Sequence, residues 1–171
     1  MNGQWTLQFN HGGPTLPPAA QLTQLGSWTD LPGDAIKKFS GTATYSTHIA
    51  KPSGTTDAFL LELGKVEKSA EVWLNGKQIA TVIGPVYRVV IPADQFTADN
   101  VLEIKVSNGM ANRIIDMERR NVEWKKFYNV NFPARLAANR EDNGLFSAAR
   151  WQPEASGLLG PVTITPVTLM K

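Results

Sequence analysis

The chain has 171 residues, of which 42% are hydrophobic and 19% charged, a composition that predicts one globular domain with a substantial core and excludes a disordered chain. Its 17 Lys and Arg and 15 Asp and Glu leave a net charge of +2, so charge alone indicates neither a nucleic-acid partner nor an anionic membrane. The absence of cysteine excludes disulfides, thiolate metal sites and a cysteine nucleophile.

The first residues already alternate like a strand, with Trp5, Leu7 and Phe9 on one face. The residues before them lack the basic and apolar regions of a signal peptide, and no apolar stretch is long enough to span a membrane. We therefore expect the chain to begin inside a domain, as a fragment of a larger protein would.

Period-two alternation continues along most of the chain and predicts about eight or nine short strands. The alternating residues are Ala43, Tyr45, Thr47 and Ile49, then Phe59, Leu61 and Leu63, then Ala70, Val72 and Leu74, then Ile79, Thr81 and Ile83, then Tyr87, Val89 and Ile91, then Leu102, Ile104 and Val106, and finally Val162, Ile164, Val167 and Leu169. Asn75 and Gly76 separate two of these runs and predict a tight hairpin. Many short strands separated by Gly, Pro, Asn and Asp favour a two-sheet β-sandwich.

Helical patterns are scarce. Residues 93–100 predict a single turn, and residues 112–117 and 122–128 each allow a short helix. Strand alternation is missing from residues 109–155, a segment that we call the long segment. Irregular stretches of this length are usually functional or packed on a partner. The long segment is rich in aromatic and arginine side chains, the types favoured at recognition surfaces.

The motifs of common hydrolases are absent. His11 and His48 are far apart in sequence, and neither has a metal-ligand spacing. Two carboxylates of the long segment would have to converge to act on a glycosidic bond, and nothing in the sequence indicates that they do. A calcium site from Asp116, Glu118 or Asp142 is not favoured, because the twelve-residue calcium loop is missing. We therefore predict no cofactor and no catalytic residue.

Several motifs occur in an order that resembles a known domain. They are residues 39–45 (FSGTATY), 61–66 (LELGKV), 69–77 (SAEVWLNGK), 84–87 (GPVY), 100–106 (NVLEIKV), 112–113 (NR) and 156–162 (SGLLGPV). This order resembles the sugar-binding-type β-sandwich domain of family 2 glycoside hydrolases. Residues 124–128 (WKKFY), 131–135 (NFPAR) and 144–146 (GLF) make it more similar to the C-terminal version in family 106 α-L-rhamnosidases.

The resemblance implies an all-β, galactose-binding-like jelly roll, formed by residues 1–171 as one domain with an insertion at about 109–155. It implies a parent enzyme, periplasmic or secreted, whose catalytic carboxylates lie on a separate barrel. Such a barrel takes about 250 residues and does not fit in this chain, which we therefore expect to be catalytically inert. The expected partner is the catalytic domain of the same parent.

Three candidate binding residues lie around the predicted strands. Trp73 alternates with the core residues beside it and so faces solvent, the long segment or a neighbouring domain, where its indole could stack on a sugar ring. Asn112 and Arg113 follow a strand end. Arg113 has donors for a carboxylate or for several hydroxyls, and it could equally clamp Asp116 or Glu118 as a structural ion pair.

Four further candidates, Trp124, Tyr128, Arg150 and Trp151, lie in the long segment. Two interpretations of its aromatic residues stay open. They form a surface for a ligand or partner, or they form a small satellite core beneath the segment.

The sequence features and the resemblance leave four functions to compare. The favoured one is a non-catalytic accessory domain of a glycoside hydrolase that packs on the catalytic domain and contacts carbohydrate there. The alternative is an autonomous carbohydrate-binding module, which needs an exposed ring beside polar groups. A nucleic-acid binder and a small independent enzyme rank below both, because the net charge is close to zero and no paired carboxylates are evident.

Overall fold

The computed structural model of the protein describes residues 3–54 and 56–168, and these residues form mainly short strands. The strands are β1 (Trp5–Gly13), β2 (Ala20–Leu22), β3 (Ser40–Ala50), β4 (Ala58–Glu62), β5 (Lys65–Glu67), β6 (Ser69–Leu74), β7 (Lys77–Ile83), β8 (Arg88–Pro92), β9 (Asp99–Ser107), β10 (Gly157–Gly160) and β11 (Thr163–Val167). The α-helices are α1 (Asp34–Lys37) and α2 (Ala111–Arg119), and 3-10 turns span Trp28–Asp30, Ala93–Gln95, Phe132–Arg135 and Ala137–Asn139.

The strands form three antiparallel sheets. The largest has six strands in the order β2-β1-β3-β9-β6-β7, the second has the order β11-β4-β8, and a small third sheet pairs β10 with β5. The long strand β3 lies at the centre of the largest sheet, between β1 and β9, with Tyr45 opposite Leu7 on one side and Ile104 on the other. Neighbours that are distant in sequence therefore fix the arrangement of the sheet.

One hydrophobic core draws on all three sheets. Tyr45 and Ile104 come from the six-stranded sheet, Phe59 and Ile91 from the three-stranded sheet, and Leu158 from the small one, and all five are fully buried. Alternating residues on facing sheets that share one core define a β-sandwich. The predicted all-β sandwich is confirmed, and the jelly-roll arrangement stays a prediction.

The hairpin predicted at Asn75 and Gly76 is confirmed. Both residues have positive φ, 52° and 77°, as the turn between β6 and β7 requires. The side chain of Asn75 is also used within the fold. Its amide nitrogen donates to Asn100 Oδ1 at 3.0 Å, and its oxygen accepts from the backbone N–H of Val101 at 2.9 Å.

The predicted inward face of β7 is partly wrong. Val72 of β6 pairs with Ala80, but the next pair is Trp73 with Gln78, so Ile79 is an extra residue in a β-bulge. The bulge shifts the alternation by one residue. Ala80 and Val82 therefore pack on the core, whereas the predicted inward residues Thr81 and Ile83 are exposed.

The helix predicted at 112–117 is confirmed as part of α2, and the single turn within 93–100 is confirmed as a 3-10 turn. The helix predicted at 122–128 is wrong, because these residues form bends and irregular backbone. Val167 ends β11 as part of the last strand, while Leu169 lies outside the described residues.

Candidate interaction surface

The long segment leaves the sandwich at the end of β9, continues as α2 and then runs without an α-helix or a β-strand to β10. It has a small core of its own. Ile115 of α2 packs there with Ala134, Phe146 and Ala148, and Trp151 packs against this group with its ring 5.7 Å from that of Phe146 in an edge-to-face arrangement. We call this group the satellite core. Trp151 therefore packs on the satellite core while staying partly exposed.

Buried charge joins α2 to the irregular part of the segment. Glu118 of α2 forms an ion pair with Lys125, with 2.7 Å between Oε1 and Nζ, and both side chains are largely buried. Glu118 also accepts from Trp124 Nε1 at 2.9 Å and from Ser147 Oγ at 3.2 Å. Lys125 in turn donates to the carbonyl of Phe146 at 2.7 Å. We call this network the Glu118 node, and it ties the segment together at one point.

Lys125 is also surrounded by aromatic rings. Its Nζ lies 5.7 Å from the ring centre of Trp124, 5.0 Å from that of Tyr128 and 5.6 Å from that of Phe146. These separations are within the range of cation–π attraction. Trp124 is thus half-buried and held by the Glu118 node, while Tyr128 keeps 46% of its surface exposed.

Arginine and asparagine side chains connect the loops of the long segment through hydrogen bonds. Arg119 donates to the carbonyls of Ala149 and Trp151 at 2.9 and 2.8 Å. Arg140 donates to the carbonyl of Ala134 at 2.7 Å, and Asn139 accepts from the indole of Trp151 at 2.9 Å. The backbone of the segment is therefore held by side chains where sheet hydrogen bonds are missing.

The segment nevertheless leaves a run of large apolar side chains on the outside. Phe127, Val130 and Phe132 are 75–77% exposed, and Leu136 is 63% exposed. Together with Tyr128 they form what we call the docking surface. The guanidinium of Arg135 lies 4.5 Å from the ring centre of Phe132. Exposed apolar side chains concentrated in ten residues are typical of an interaction site.

The predicted residues outside this surface have structural partners. Asn112 is buried and forms two hydrogen bonds with the backbone of Glu154, donating to its carbonyl at 2.8 Å and accepting from its N–H at 2.7 Å. Asn112 therefore fastens the end of the long segment to α2. Arg113 lies with its guanidinium against Gly13 of β1, where an added Cβ would overlap it.

The alternative in which Arg113 clamps Asp116 or Glu118 is not found among the ion pairs of the described residues. Asp116 pairs instead with Arg120 at 2.7 Å and with Lys38 at 3.9 Å, and Glu118 pairs with Lys125. Helix geometry allows either arginine, since Arg113 precedes Asp116 by three residues and Arg120 follows it by four. The guanidinium of Arg113 lies against Gly13 of β1, and Asp116 pairs with Arg120.

Trp73 points away from the core, as its alternation predicts, and is half-exposed. Its indole N–H donates to Glu71 Oε2 at 3.1 Å, and Lys105 Nζ lies 3.7 Å from its ring centre. Glu71 of the same strand and Lys105 of β9 thus contact part of the ring system. Arg150 is exposed near the end of the long segment, next to Trp151. Of the seven predicted residues, Trp124 and Tyr128 lie around Lys125, and Trp151 packs on the neighbouring Phe146, whereas Trp73 lies on β6.

Sequence reasoning did not select Val130, Phe132 and Leu136 as site residues. The available signal was the presence of large apolar residues in a stretch without strand or helix periodicity. Without periodicity, the sequence does not show which of these apolar residues are buried. A segment with a satellite core and a segment with an exposed apolar surface have the same sequence pattern. Only the fold distinguishes Phe146, which is buried, from Phe132, which is exposed.

No three His, Asp or Glu side chains in residues 3–54 and 56–168 lie close enough together to hold a metal ion. No helix in the same residues is both long enough and apolar enough to cross a membrane.

Comparisons with known proteins match the chain to small parts of larger polypeptides. No protein-family profile matches it. A curated protein of Formosa agariphila, named "Putative beta-glucuronidase", is 32% identical over an alignment 187 residues long. The alignment covers 95% of this chain and 15% of that protein. The chain therefore spans less than a sixth of the length of this relative.

Solved structures give a similar result. The structure of a rhamnosidase from Novosphingobium sp. PP1Y matches with a TM-score of 0.71 and 25% identity, over 96% of this chain and 14% of that one. A β-glucuronidase of Bifidobacterium dentium matches with a TM-score of 0.50 and 20% identity, over 61% of this chain and 19% of that one, which shows the fold alone. The predicted resemblance is confirmed, because this chain is similar to a small β-sandwich region of large glycoside hydrolases.

Proposed function

We propose that the chain is a non-catalytic accessory domain of a bacterial α-L-rhamnosidase-like glycoside hydrolase and that it packs on the catalytic domain through the docking surface. The similarity to a small region of much larger glycoside hydrolases supports the accessory role. Export of the parent enzyme to the periplasm or the medium belongs to the same proposal and is supported by the resemblance alone.

The docking surface is the observation that carries this proposal. Phe127, Val130, Phe132 and Leu136 remain exposed, whereas the satellite core of the same segment is formed by Ile115, Phe146 and other side chains. The segment is therefore held by its own core and by the Glu118 node, and it does not need these four residues for its internal packing. Aromatic and aliphatic side chains left over in this way favour a protein partner, with Arg135 as a polar neighbour.

The experiment measures binding between the 171-residue chain and the remainder of its parent polypeptide, produced separately. We expect Phe132→Asp to weaken this binding at least about tenfold, since a charge would be buried in an apolar interface. Ile83→Asp is the matched control, because Ile83 is equally exposed at 78% but lies on β7, outside the docking surface. Equal affinities for the wild type and Phe132→Asp, or an equal loss in both variants, would contradict the proposal.

A further inference from the structure

A polar groove lies on the outer face of the six-stranded sheet, remote in sequence from the docking surface. It has a volume of about 330 Å³ and is lined by residues of β1, β3, β6 and β9. The lining residues are Asn10, His11, Thr42, Thr44, Glu71, Lys105 and Ser107. We call it the sheet groove. Its volume is within the range of cavities that hold small ligands.

A β-bulge brings two consecutive side chains to this groove. Phe9 pairs with Ala43 and His11 pairs with Thr42, so Asn10 is an extra residue in β1. In a regular strand, consecutive side chains point to opposite faces. The bulge breaks this rule, and both Asn10 and His11 therefore line the groove. Bulges are frequent where a strand directs a side chain into a site.

Several polar groups of the groove are already oriented. Thr44 Oγ1 donates to Asn10 Oδ1 at 2.7 Å, which fixes the amide and leaves its NH₂ group as a donor. Glu71 Oε2 accepts from the indole of Trp73 at 3.1 Å, and Lys105 Nζ is held 3.7 Å from the centre of that ring. Groups fixed before binding lower the entropy cost of ligand association.

The charges of the groove balance. Glu71 and Lys105 are direct partners on β6 and β9, so the groove contains one acidic and one basic side chain. The remaining lining residues supply hydroxyl, amide and imidazole groups, which both donate and accept hydrogen bonds. A site with many hydrogen-bonding groups and no excess charge favours a neutral polyhydroxy ligand over a phosphate or a carboxylate.

From these observations we infer that the sheet groove binds a neutral pyranose unit of a glycan, with Asn10 donating to a sugar hydroxyl and Glu71 accepting from another. The choice of a sugar among polyhydroxy ligands rests on the proposed function, since an accessory domain of a glycoside hydrolase meets glycans. The placement of the site rests on the bulge, the oriented side chains and the balanced charge. None of the residues predicted from sequence lines this groove.

The test is a titration of the ¹⁵N-labelled 171-residue chain, followed by amide chemical shifts. Methyl α-L-rhamnopyranoside and methyl β-D-galactopyranoside are the neutral probes, and methyl β-D-glucuronide is the charged one, each at millimolar concentration. We expect saturable shifts from a neutral probe at residues 9–12, 42–44, 71–73 and 105–107. Asn10→Asp keeps the acceptor for Thr44 but removes the NH₂ donor, and it should weaken binding about tenfold.

Glu71→Gln should also weaken binding, whereas Phe132→Asp should leave the sugar affinity unchanged. The two proposals are thus separable, because Phe132→Asp tests only the docking surface and Asn10→Asp only the sheet groove. The inference is overturned by the absence of shifts, by shifts confined to the long segment, by binding of the glucuronide alone, or by equal affinity in Asn10→Asp. Circular dichroism of each variant verifies that its fold is retained.

Discussion

Trp28, Tyr45 and Gly157 meet at a tightly packed point of the core. Trp28 and Tyr45 are fully buried, and neither the indole N–H nor the phenol O–H has a hydrogen-bond partner of acceptable geometry among the described residues. The ring of Trp28 packs edge-to-face against Phe9 and Phe39. The large rings are therefore closely packed here although their polar atoms lack hydrogen bonds. An additional side chain at this point would have to displace these rings.

Gly157 is the residue that this packing requires. Its φ is 103°, and an added Cβ would overlap the Tyr45 hydroxyl and the Trp28 ring. We expect Gly157→Ala to lower the free energy of unfolding by about 3 kcal/mol, from backbone strain and overpacking together. Urea denaturation followed by tryptophan fluorescence measures the change.

Gly84→Ala is the matched control for this substitution. Gly84 has a similar φ of 100° but no atom near the position of an added Cβ. It therefore reports backbone strain alone, about 1 kcal/mol. If the two variants lose equal stability, the overlap with Tyr45 and Trp28 contributes nothing and this account of Gly157 is wrong.

At the scale of elements, the long segment depends on the Glu118 node. Glu118→Gln removes the negative charge and leaves the largely buried Lys125 without its ion-pair partner. We expect the free energy of local opening of residues 120–150 to fall by about 3 kcal/mol, while the central strands β3 and β9 keep their protection. Native-state hydrogen exchange measures both regions in one experiment.

Glu154→Gln is the control for the loss of a carboxylate. Glu154 pairs with Lys68 at 3.4 Å, and about half of each side chain is exposed. A surface pair of this kind contributes little, so the change should stay within about 0.5 kcal/mol. Uniform loss of protection across the sandwich in Glu118→Gln would show that the node supports the whole core and not the segment alone.

The difference between the regular strands and the long segment explains what could be predicted from sequence. Strands such as β3, β6 and β9 are readable because alternation directly reports which face is buried. The bulge at Ile79 interrupts that alternation without a sequence signal and reverses the face of β7. In the long segment there is no period at all. Whether Phe132 or Phe146 is buried is decided by contacts with α2, which the sequence does not report.

At the scale of the whole molecule, the buried hydroxyl of Tyr45 couples stability to alkaline pH. Burial raises the pKa of Tyr45, and the backbone of Leu158 offsets part of this increase. In the unfolded chain the phenol loses its proton near the ordinary pKa of about 10. Above that pH the unfolded state binds fewer protons than the folded state, so stability falls as pH rises.

We expect the wild type to lose about 1.4 kcal/mol of stability per pH unit from this group above about pH 10. Tyr45→Phe should lack this part of the slope. At neutral pH it should stay within about 1 kcal/mol of the wild type, because the hydroxyl makes no hydrogen bond of good geometry and only a weak interaction with the backbone of Leu158 is lost. Urea denaturation between about pH 9 and pH 11 measures the slope for each protein.

Tyr87→Phe is the control that separates ionisation of the buried phenol from simple loss of a hydroxyl. Tyr87 donates to the backbone carbonyl of Lys68, so its removal should cost about 1 kcal/mol at neutral pH. It should keep the full alkaline slope, since Tyr45 is still present. Equal slopes in the wild type and Tyr45→Phe would mean that another group governs alkaline unfolding. A slope lost only in Tyr45→Phe would assign the alkaline sensitivity of the sandwich to one phenol in its core.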